Sequence, residues 1–292
     1  MALVEQTLYG VRDKVAIAHE MLRAYEPEEG YFLAFSGGKD SQCIYHLAQD
    51  ADVKFDAHYH MTTVDPPELI YFIREHYPDV IFDRPKKTMW ELILYHKSPP
   101  TRVRRYCCAH LKEHGGEGRR VITGVRWAES AGRRKYRGGI ELQKAKSIKS
   151  TKQMSDNDES RRLVENCLQF NRIAVNPIVG WSDEEVWEYH RLKQLPHCSL
   201  YDEGFKRLGC IGCPMSTNAA SEMERWPKFK AQYLRTFSRM IAARQAAGKC
   251  AKIDNRWTDA EAVMRWWLNE PDSEDGGLFD EDATDKEVSD GR

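Results

Sequence analysis

The sequence contains no long hydrophobic run, and its first residues do not predict a secretory leader. None of its apolar stretches approaches the roughly 20 residues that a membrane-spanning helix needs. The first residues show no basic segment followed by an apolar one. We therefore expect a cytoplasmic protein with no membrane partner. A Walker A loop, G-x-x-x-x-G-K-[ST], is also absent, which excludes that class of nucleotide-binding proteins.

The chain also lacks a strong net charge, but its total of -1 conceals an uneven distribution. It has 44 Lys and Arg against 45 Asp and Glu in 292 residues. Residues 269–292 carry ten acidic and two basic side chains, so the preceding 268 residues have a net charge of +7. The basic excess is concentrated in residues 102–152, which contain 15 Lys and Arg and 4 Asp and Glu. This distribution predicts an acidic tail and a basic surface suited to phosphate-bearing partners.

A disulfide framework is not expected for the eight cysteines, because the chain is long and shows no secretory signal. Four of them form two close groups, the adjacent pair Cys107-Cys108 and the C-x-x-C segment Cys210–Cys213. A C-x-x-C segment places two thiolates on one tight loop, a recurring half-site for zinc or for iron–sulfur clusters. The residues alone leave three interpretations open: a cluster, structural zinc, or four unmodified thiols.

Short apolar runs alternate with amphipathic segments, which predicts an α/β fold with a doubly wound parallel sheet. The segment Ser182 to Glu185 predicts a capping box at the start of a helix. Strands are predicted at residues 31–35, 53–59, 80–82 and 120–123, with another that ends at 176–178. Helices are predicted at residues 4–25, 39–51, 67–77, 90–96 and 183–193.

Beyond residue 215 the sequence pattern is helical. It predicts a helix over residues 218–247, interrupted near Pro227, and another over 259–268. Residues 132–160 are rich in Lys, Arg, Ser, Gly and Asp and predict a basic loop. The expected organisation is an α/β domain (1–215) with this loop, a helical C-terminal cap (216–268) and an acidic disordered tail (269–292).

The segment Ser36-Gly37-Gly38-Lys39-Asp40-Ser41 lies between a buried apolar strand and a helix. Two glycines let the backbone turn sharply and direct its N–H groups at an anion, and the helix adds its positive N-terminal end. The serines offer hydroxyl donors, Lys39 offers a charge, and Asp40 offers a cap or a Mg²⁺ ligand. An ordinary strand–helix turn is the alternative, but this context favours a phosphate site.

This loop resembles the pyrophosphate loop of the N-type ATP pyrophosphatases. Further motifs narrow the resemblance to the phosphoadenosine phosphosulfate (PAPS) reductase family. They stand in order within residues 30–215: Thr63–Glu68, Gly124–Ser130, Asn176–Ile178 with Trp181 and Glu185–Trp187, and Leu200–Gly204. The resemblance implies a nucleotide-binding domain with a Rossmann-like sheet of the adenine nucleotide alpha-hydrolase type. It also implies the nucleotide-binding residues Ser36, Gly37, Gly38, Lys39, Asp40, Ser41, Gly124, Arg126, Glu129 and Ser130, with Lys39, Asp40 and Arg126 as the catalytic candidates.

The two cysteine groups together resemble the cluster-binding pattern of the iron–sulfur adenylyl sulfate reductases. This resemblance implies a [4Fe–4S] cluster held by Cys107, Cys108, Cys210 and Cys213, with zinc as the alternative metal. The basic side chains near these cysteines would offset the negative charge of four thiolates.

Two departures from the reductases bear on the activity. Their C-terminal E-C-G-x-H motif is absent, since the only late cysteine, Cys250, lies in G-K-C-A. The phosphate loop is intact, which favours ATP over a substrate without β and γ phosphates. We therefore expect cleavage of ATP between the α and β phosphates, with Mg²⁺, to adenylylate an acceptor for iron–sulfur-assisted sulfur transfer. The alternatives are a PAPS or APS reductase that releases sulfite, and a non-catalytic nucleotide-binding module with a structural cluster.

The basic segment predicts the partners. Arg133, Arg134, Lys135 and Arg137, next to Tyr136, are the candidate polyanion contacts. A solvated loop, a nucleotide site and a nucleic-acid site all remain open interpretations of this charge. The expected partners are an adenine nucleotide, a nucleic-acid substrate as one option for the acceptor, and a sulfur donor such as a cysteine desulfurase. The oligomeric state is left open, with a homodimer as one option.

Overall fold

The computed structural model describes residues 3–8, 10–113, 115–143, 151–153, 172–247 and 256–268. The predicted acidic tail (269–292) lies outside these ranges, as do Cys167 and Cys250. None of the helices within the described ranges is long and apolar enough to cross a membrane.

The first described residues form a β-hairpin and not a helix. Strand β1 (Val4–Thr7) pairs antiparallel with β2 (Gly10–Asp13), and helix α1 (Lys14–Ala24) follows. The predicted helix over residues 4–25 is therefore wrong before Lys14. Gly10 has a φ of 123°, which helical backbone does not adopt, and the Asp13 carboxylate accepts the N–H groups of the first turn of α1. This N-cap, which the apolar spacing does not reveal, begins the helix at Lys14.

Five parallel strands form the centre of the main sheet, which confirms the predicted fold class. They are β3 (Tyr31–Ala34), β4 (Phe55–His60), β5 (Ile81–Asp83), β6 (Arg120–Ile122) and β9 (Arg172–Val175). Strands β7 (Ile140–Gln143) and β8 (Thr151–Gln153) extend one edge antiparallel, which gives the order β5-β4-β3-β6-β9-β7-β8 in the described residues. Leu33, at the centre of β3, is fully buried between neighbours on both sides. Strands β4 and β5 lie on one side of β3, and strands β6 and β9 lie on the other, so the order in which the chain adds strands to the sheet reverses at β3.

The helices of the α/β part begin where their sequences provide a cap. Helix α4 starts with a Thr88–Glu91 capping box, and α7 starts with the predicted Ser182–Glu185 capping box. Helix α2 packs against both α1 and α7. The bounds are α2 (Lys39–Asp50), α3 (Pro67–His76), α4 (Met89–His96), α5 (Tyr106–Leu111), α6 (Ala131–Tyr136) and α7 (Asp183–Lys193).

The prediction of a loop over residues 132–160 is wrong for the first part of that segment. Ser130 accepts the backbone N–H of Arg133 and starts α6, and β7 and β8 then form two antiparallel strands. Their pairing depends on β9, which lies far along the chain, so local composition does not reveal it. Residues 144–150 and 154–160 lie outside the described ranges.

The C-terminal helices α8 (Ala219–Arg225), α9 (Pro227–Ala246) and α10 (Ala260–Trp267) follow, with the predicted interruption before Pro227. They pack on the segment that leads to Cys107. Tyr233 of α9 contacts the rings of Trp90 and Trp267, each with a centroid distance of 4.8 Å. The Trp267 indole N–H donates to the Pro100 carbonyl at 2.7 Å. The helices therefore support the region that carries the cysteines.

Candidate active site

The candidate residues meet at the carboxyl ends of the parallel strands. The phosphate loop, residues 36–41, follows β3, and residues 62–65 follow β4. Residues 123–130 follow β6, and residues 176–181 follow β9. In open α/β sheets this edge, at the strand where the order reverses, is where ligands bind. The fold therefore brings together motifs that lie up to 145 residues apart in the chain.

The conformation of the phosphate loop depends on glycine. Gly37 has a φ of 71°, and a Cβ atom there would lie 2.7 Å from the Cδ1 atoms of Leu69 and Ile73. Gly38 is the N-cap of α2, and no side chain caps this helix. The Ser36 hydroxyl donates to Ser41 Oγ at 3.1 Å, and Ser41 donates to the Gly38 carbonyl at 2.8 Å. The helix terminus is therefore shaped to receive an anion on its backbone N–H groups.

Tyr201, in the L-Y-D-E-G segment, forms a hydrogen bond with the phosphate loop. Its hydroxyl accepts the Lys39 backbone N–H at 2.9 Å, and a Cβ atom on Gly38 would lie 3.3 Å from that hydroxyl. Burial raises the pKa of Tyr201, so the side chain stays a neutral phenol. His190 Nε2 lies 2.9 Å from the Lys39 carbonyl on the other side. Sequence reasoning recognised the motif but gave neither side chain a role, since neither contact is local.

Arg126 is buried and bonded to two carboxylates. Only 1% of its surface is exposed. Its Nε lies 2.6 Å from Asp40 Oδ1, one terminal nitrogen lies 2.8 Å from Asp183 Oδ1, and the other donates to the Trp181 carbonyl at 3.2 Å. Burial alone would lower the pKa of the guanidinium, but the two carboxylates outweigh it and raise that pKa. Arg126 therefore orients Asp40.

Asp183 is a site residue that the sequence analysis did not predict. It is the first residue of α7, and its carboxylate accepts from Lys39 Nζ at 3.0 Å as well as from Arg126. Burial would raise its pKa, but the hydrogen bonds and charges of Lys39 and Arg126 hold that pKa below its usual value. Its place directly after the Ser182 N-cap was the available signal. Its two cationic partners, Lys39 and Arg126, belong to other motifs, so the sequence around Asp183 does not predict these ion pairs.

The remaining predicted nucleotide contacts organise the segment after β6. A Cβ atom on Gly124 would lie 3.1 Å from the Asp40 backbone, so glycine permits this segment to approach α2. The Glu129 carboxylate accepts the Arg126 backbone N–H at 3.1 Å and also pairs with the Arg133 guanidinium. Ser130 serves as the N-cap of α6. Glu129 and Ser130 thus hold the turn that carries Arg126.

The two cysteine groups lie close enough for the charges of Cys210 and Cys213 to act on Cys107. Cys107 and Cys108 lie in α5, and Cys210 and Cys213 lie in a loop held by a 2.8 Å hydrogen bond from the Ile211 N–H to the Val64 carbonyl. The hydrogen bond to Cys108, burial and the charges of Cys210 and Cys213 raise the pKa of Cys107. The hydrogen bond from Cys107 in turn lowers the pKa of Cys108. The two neighbouring thiols are therefore inequivalent, and that of Cys108 ionises more readily.

This donor set fits a soft metal ion or an iron–sulfur cluster by its chemistry. Four sulfur donors from two tight segments are the ligands that zinc and [4Fe–4S] clusters use. The charge of Cys210 raises the pKa of Lys112, whose ammonium supplies a nearby positive charge. Among the described residues, no group of three or more His, Cys, Asp or Glu side chains already has metal-binding geometry.

The predicted polyanion contacts divide into two kinds. Arg133 pairs with Glu129, and Arg137 lies 2.6 Å from a Glu141 carboxylate oxygen. Arg134 and Lys135 are exposed, and Lys135 Nζ lies 5.2 Å from the centre of the Tyr136 ring. Burial lowers the pKa of Arg133, and the charge of Arg207 lowers it further. Arg207, from a different segment, therefore lies close enough to the half-buried Arg133 for its charge to act there.

Comparisons with known proteins agree with these motifs. A family profile for the phosphoadenosine phosphosulfate reductase domain matches residues 30–216. Adenosine 5'-phosphosulfate reductase of Staphylococcus epidermidis is 40% identical over 60 residues, which are 20% of this chain and 25% of that protein. The Bacillus cereus protein of the same name is 25% identical over 214 residues, covering 70% of this chain and 82% of that one. This chain thus spans only a quarter of the first relative.

One solved structure shows a more distant similarity. Phosphoadenylyl-sulfate reductase from Candida auris, crystallised as a phosphate complex, is 16% identical to this chain with a TM-score of 0.45. The superposition covers 66% of this chain and 87% of that protein.

Proposed function

Because the chain belongs to the phosphoadenosine phosphosulfate reductase domain family, we propose that it binds an adenine nucleotide on residues 36–41 and cleaves ATP between its α and β phosphates. The observation that carries the proposal is the intact phosphate loop at the carboxyl end of β3. Lys39 and Asp40 lie at the start of α2, where backbone N–H groups can receive the β and γ phosphates. A nucleotide without those phosphates would not need this complete loop.

The first step is adenylyl transfer. An acceptor oxygen attacks the α-phosphorus, a new P–O bond forms, and the bond to the bridging oxygen breaks as pyrophosphate leaves with its electron pair. The phosphate loop binds the leaving pyrophosphate, and Lys39 stabilises its developing charge. Asp40, which Arg126 holds in place, would provide a ligand for Mg²⁺, an ion that neutralises phosphate charge when bound. Arg126 acts through Asp40 because its own nitrogens are buried.

The second step is sulfur transfer. The four cysteines would hold a [4Fe–4S] cluster or, as the alternative, zinc; a bound cluster supplies a site for sulfide. Sulfide from a sulfur donor then attacks the activated carbon of the acceptor. A C–S bond forms, the C–O bond breaks, and AMP leaves with the former acceptor oxygen.

The test of the first step is pyrophosphate release from ATP by wild-type protein and a Gly37→Ala variant. We expect the variant to lose at least about 100-fold in rate, as when preorganised donors are displaced. Its Cβ would collide with Leu69 and Ile73 in backbone that favours glycine. Gly209→Ala is the matched control, since a Cβ there meets nothing within 4 Å. Equal rates for wild type and Gly37→Ala would contradict the proposal.

The metal prediction concerns Cys210. Anaerobically purified protein should contain about four iron and four sulfide per chain, and Cys210→Ser should lose most of both. Cys198→Ser is the matched control, because Cys198 is also a free cysteine, is buried, and lies outside the four-thiol set. A colourless, zinc-loaded wild-type protein would refute the cluster and favour zinc.

The names of the relatives favour a second candidate, reduction of a sulfonucleotide. A thiolate would attack the sulfate sulfur, an S–S bond would form, and AMP or its 3'-phosphate would leave. A second thiol would then release sulfite, so a dithiol partner supplies the two electrons. Sulfite release from PAPS or APS with a dithiol reductant, without pyrophosphate release from ATP, would identify this activity. Nucleotide binding without either product would identify a non-catalytic module.

A further inference from the structure

The single lysine of the phosphate loop is paired with two carboxylates. Lys39 is buried, and its Nζ lies 3.0 Å from Asp183 Oδ1 and 3.3 Å from Asp40 Oδ2. Both carboxylates also accept from Arg126. Two positive and two negative side chains therefore cancel, and the loop offers a pyrophosphate no net side-chain charge. A nucleotide that uses Lys39 must first compete with these carboxylates.

Of these four side chains, that of Asp183 can most readily break its ion pairs. Its side chain is 58% exposed, whereas those of Lys39 and Arg126 are 8% and 2% exposed. If Asp183 turns outward, water replaces its partners, and Arg126 keeps its contacts to Asp40 and to the Trp181 carbonyl. The same movement leaves Lys39 with only the longer contact to Asp40. The exposed carboxylate thus controls the lysine at little cost to the buried arginine.

We infer that Asp183 is a positioning residue for Lys39. It holds the ammonium beside Arg126 while the loop is empty and gives it up to the phosphates when a nucleotide binds. The inference rests on the proposed function only in taking a pyrophosphate-bearing nucleotide as the ligand that captures Lys39. A plain structural role, in which Asp183 merely favours the start of α7 through its charge, would involve no exchange of Lys39.

The discriminating experiment measures the affinity for inorganic pyrophosphate by calorimetry at low salt. We expect Asp183→Asn to bind pyrophosphate about fivefold more tightly, the size expected from one partly exposed ion pair. In a Lys39→Met background the same substitution should change the affinity by less than about twofold, because no lysine remains to be released. If the Asp183 carboxylate acted only by repelling pyrophosphate, Asp183→Asn would tighten pyrophosphate binding equally in both backgrounds.

Two further variants complete this experiment. Asp183→Glu should bind pyrophosphate as wild type does, because a carboxylate is retained. Glu184→Gln removes one negative charge at the next position, where the side chain is exposed, and should also bind as wild type does. A gain of equal size in Glu184→Gln, or in the Lys39→Met background, would overturn the inference.

A second measurement needs no nucleotide. Peptide-resolved labelling with an amine-reactive ester should modify Lys39 several-fold faster in Asp183→Asn than in wild type, and no faster in Glu184→Gln. Unchanged labelling of Lys39 would overturn the inference even if pyrophosphate binds. Faster labelling, together with no binding of pyrophosphate or ATP to wild type at millimolar concentration, would support the hold on Lys39 and refute the proposed function.

Discussion

Burial decides what Arg126 can do in this site. A basic residue in a G-x-R segment predicts contact with phosphate, yet the structure surrounds its guanidinium with Asp40, Asp183 and a backbone carbonyl. A buried cation with three acceptors is satisfied before any ligand arrives. The residue therefore supports Asp40, which the proposed function assigns to the nucleotide site, and substitution should affect stability as well as activity.

We predict that Arg126→Met lowers the free energy of unfolding by about 2–3 kcal/mol, less than for fully buried pairs because both carboxylates are partly exposed. Arg126→Lys, which keeps the charge but loses the forked contact, should cost less. Urea denaturation measures both values. Arg134→Met is the control, since Arg134 is exposed. A loss below 1 kcal/mol for Arg126→Met would contradict the structural role.

Site residues were predictable from sequence where they are contiguous. Residues 36–41 carry their chemistry in one segment and are recognisable by pattern. Asp183 and Tyr201 act on Lys39 across more than 140 residues of chain, and each also has an ordinary local explanation. Their roles follow from strand order, which the sequence pattern does not specify.

At the scale of the secondary-structure element, helix α7 links stability with the site. Its capping box, Ser182 with Glu185, was predicted from sequence and is present. The next residue, Asp183, pairs with Lys39 and Arg126. The hydroxyl that starts the helix therefore also fixes the carboxylate that holds the lysine.

We predict that Ser182→Ala lowers the free energy of unfolding by about 1 kcal/mol and shifts pyrophosphate affinity in the same direction as Asp183→Asn. Thr88→Ala removes the equivalent cap of α4, a helix that does not carry Asp183, and should cost similar stability without changing that affinity. Denaturant unfolding and calorimetry provide the two values. Equal affinity changes in both variants would indicate a global effect rather than a local one.

Elements at the edges of the structure were the least predictable. The hairpin β1–β2 and the strands β7 and β8 lie in segments whose composition predicted a helix and a loop. Strand formation at a sheet edge depends on a partner, and for β7 that partner is β9. The central strand β3 was predictable because burial on both faces leaves an unbroken apolar run, Tyr31–Ala34.

The charge of the whole molecule divides between an acidic tail and a basic body. Exposed basic residues on the body include Arg102, Arg104, Arg105, Arg134, Lys135, Lys206 and Arg207. Arg102 also donates to the Pro214 carbonyl at 2.8 Å, which joins the first basic segment to the C-x-x-C loop. We propose that exposed basic residues of the body, Arg134 and Lys135 among them, bind a nucleic-acid acceptor and that the tail competes for them.

We predict that deletion of residues 271–292 tightens binding of a single-stranded oligonucleotide several-fold at low salt. The effect should vanish near 0.5 M salt, where charges are screened over about 4 Å. Combined replacement of Arg134 and Lys135 by Ala should weaken binding in both the full and the shortened chain. Fluorescence anisotropy measures each affinity. Equal affinity before and after the deletion would count against competition by the tail.

The strand order also has a consequence for how the molecule assembles during synthesis. Strands β3, β4 and β5 are neighbours in both chain and sheet, so they can form from local contacts. Phe32 of β3 pairs with Val121 of β6, and Val121 pairs with Ala174 of β9. Strands β6 and β9 can therefore join the sheet only after these later parts of the chain have been synthesised. A nascent chain therefore carries the phosphate loop before it carries Arg126 or Asp183. We expect the loop to reach its full set of contacts only after Arg126 has folded against Asp40.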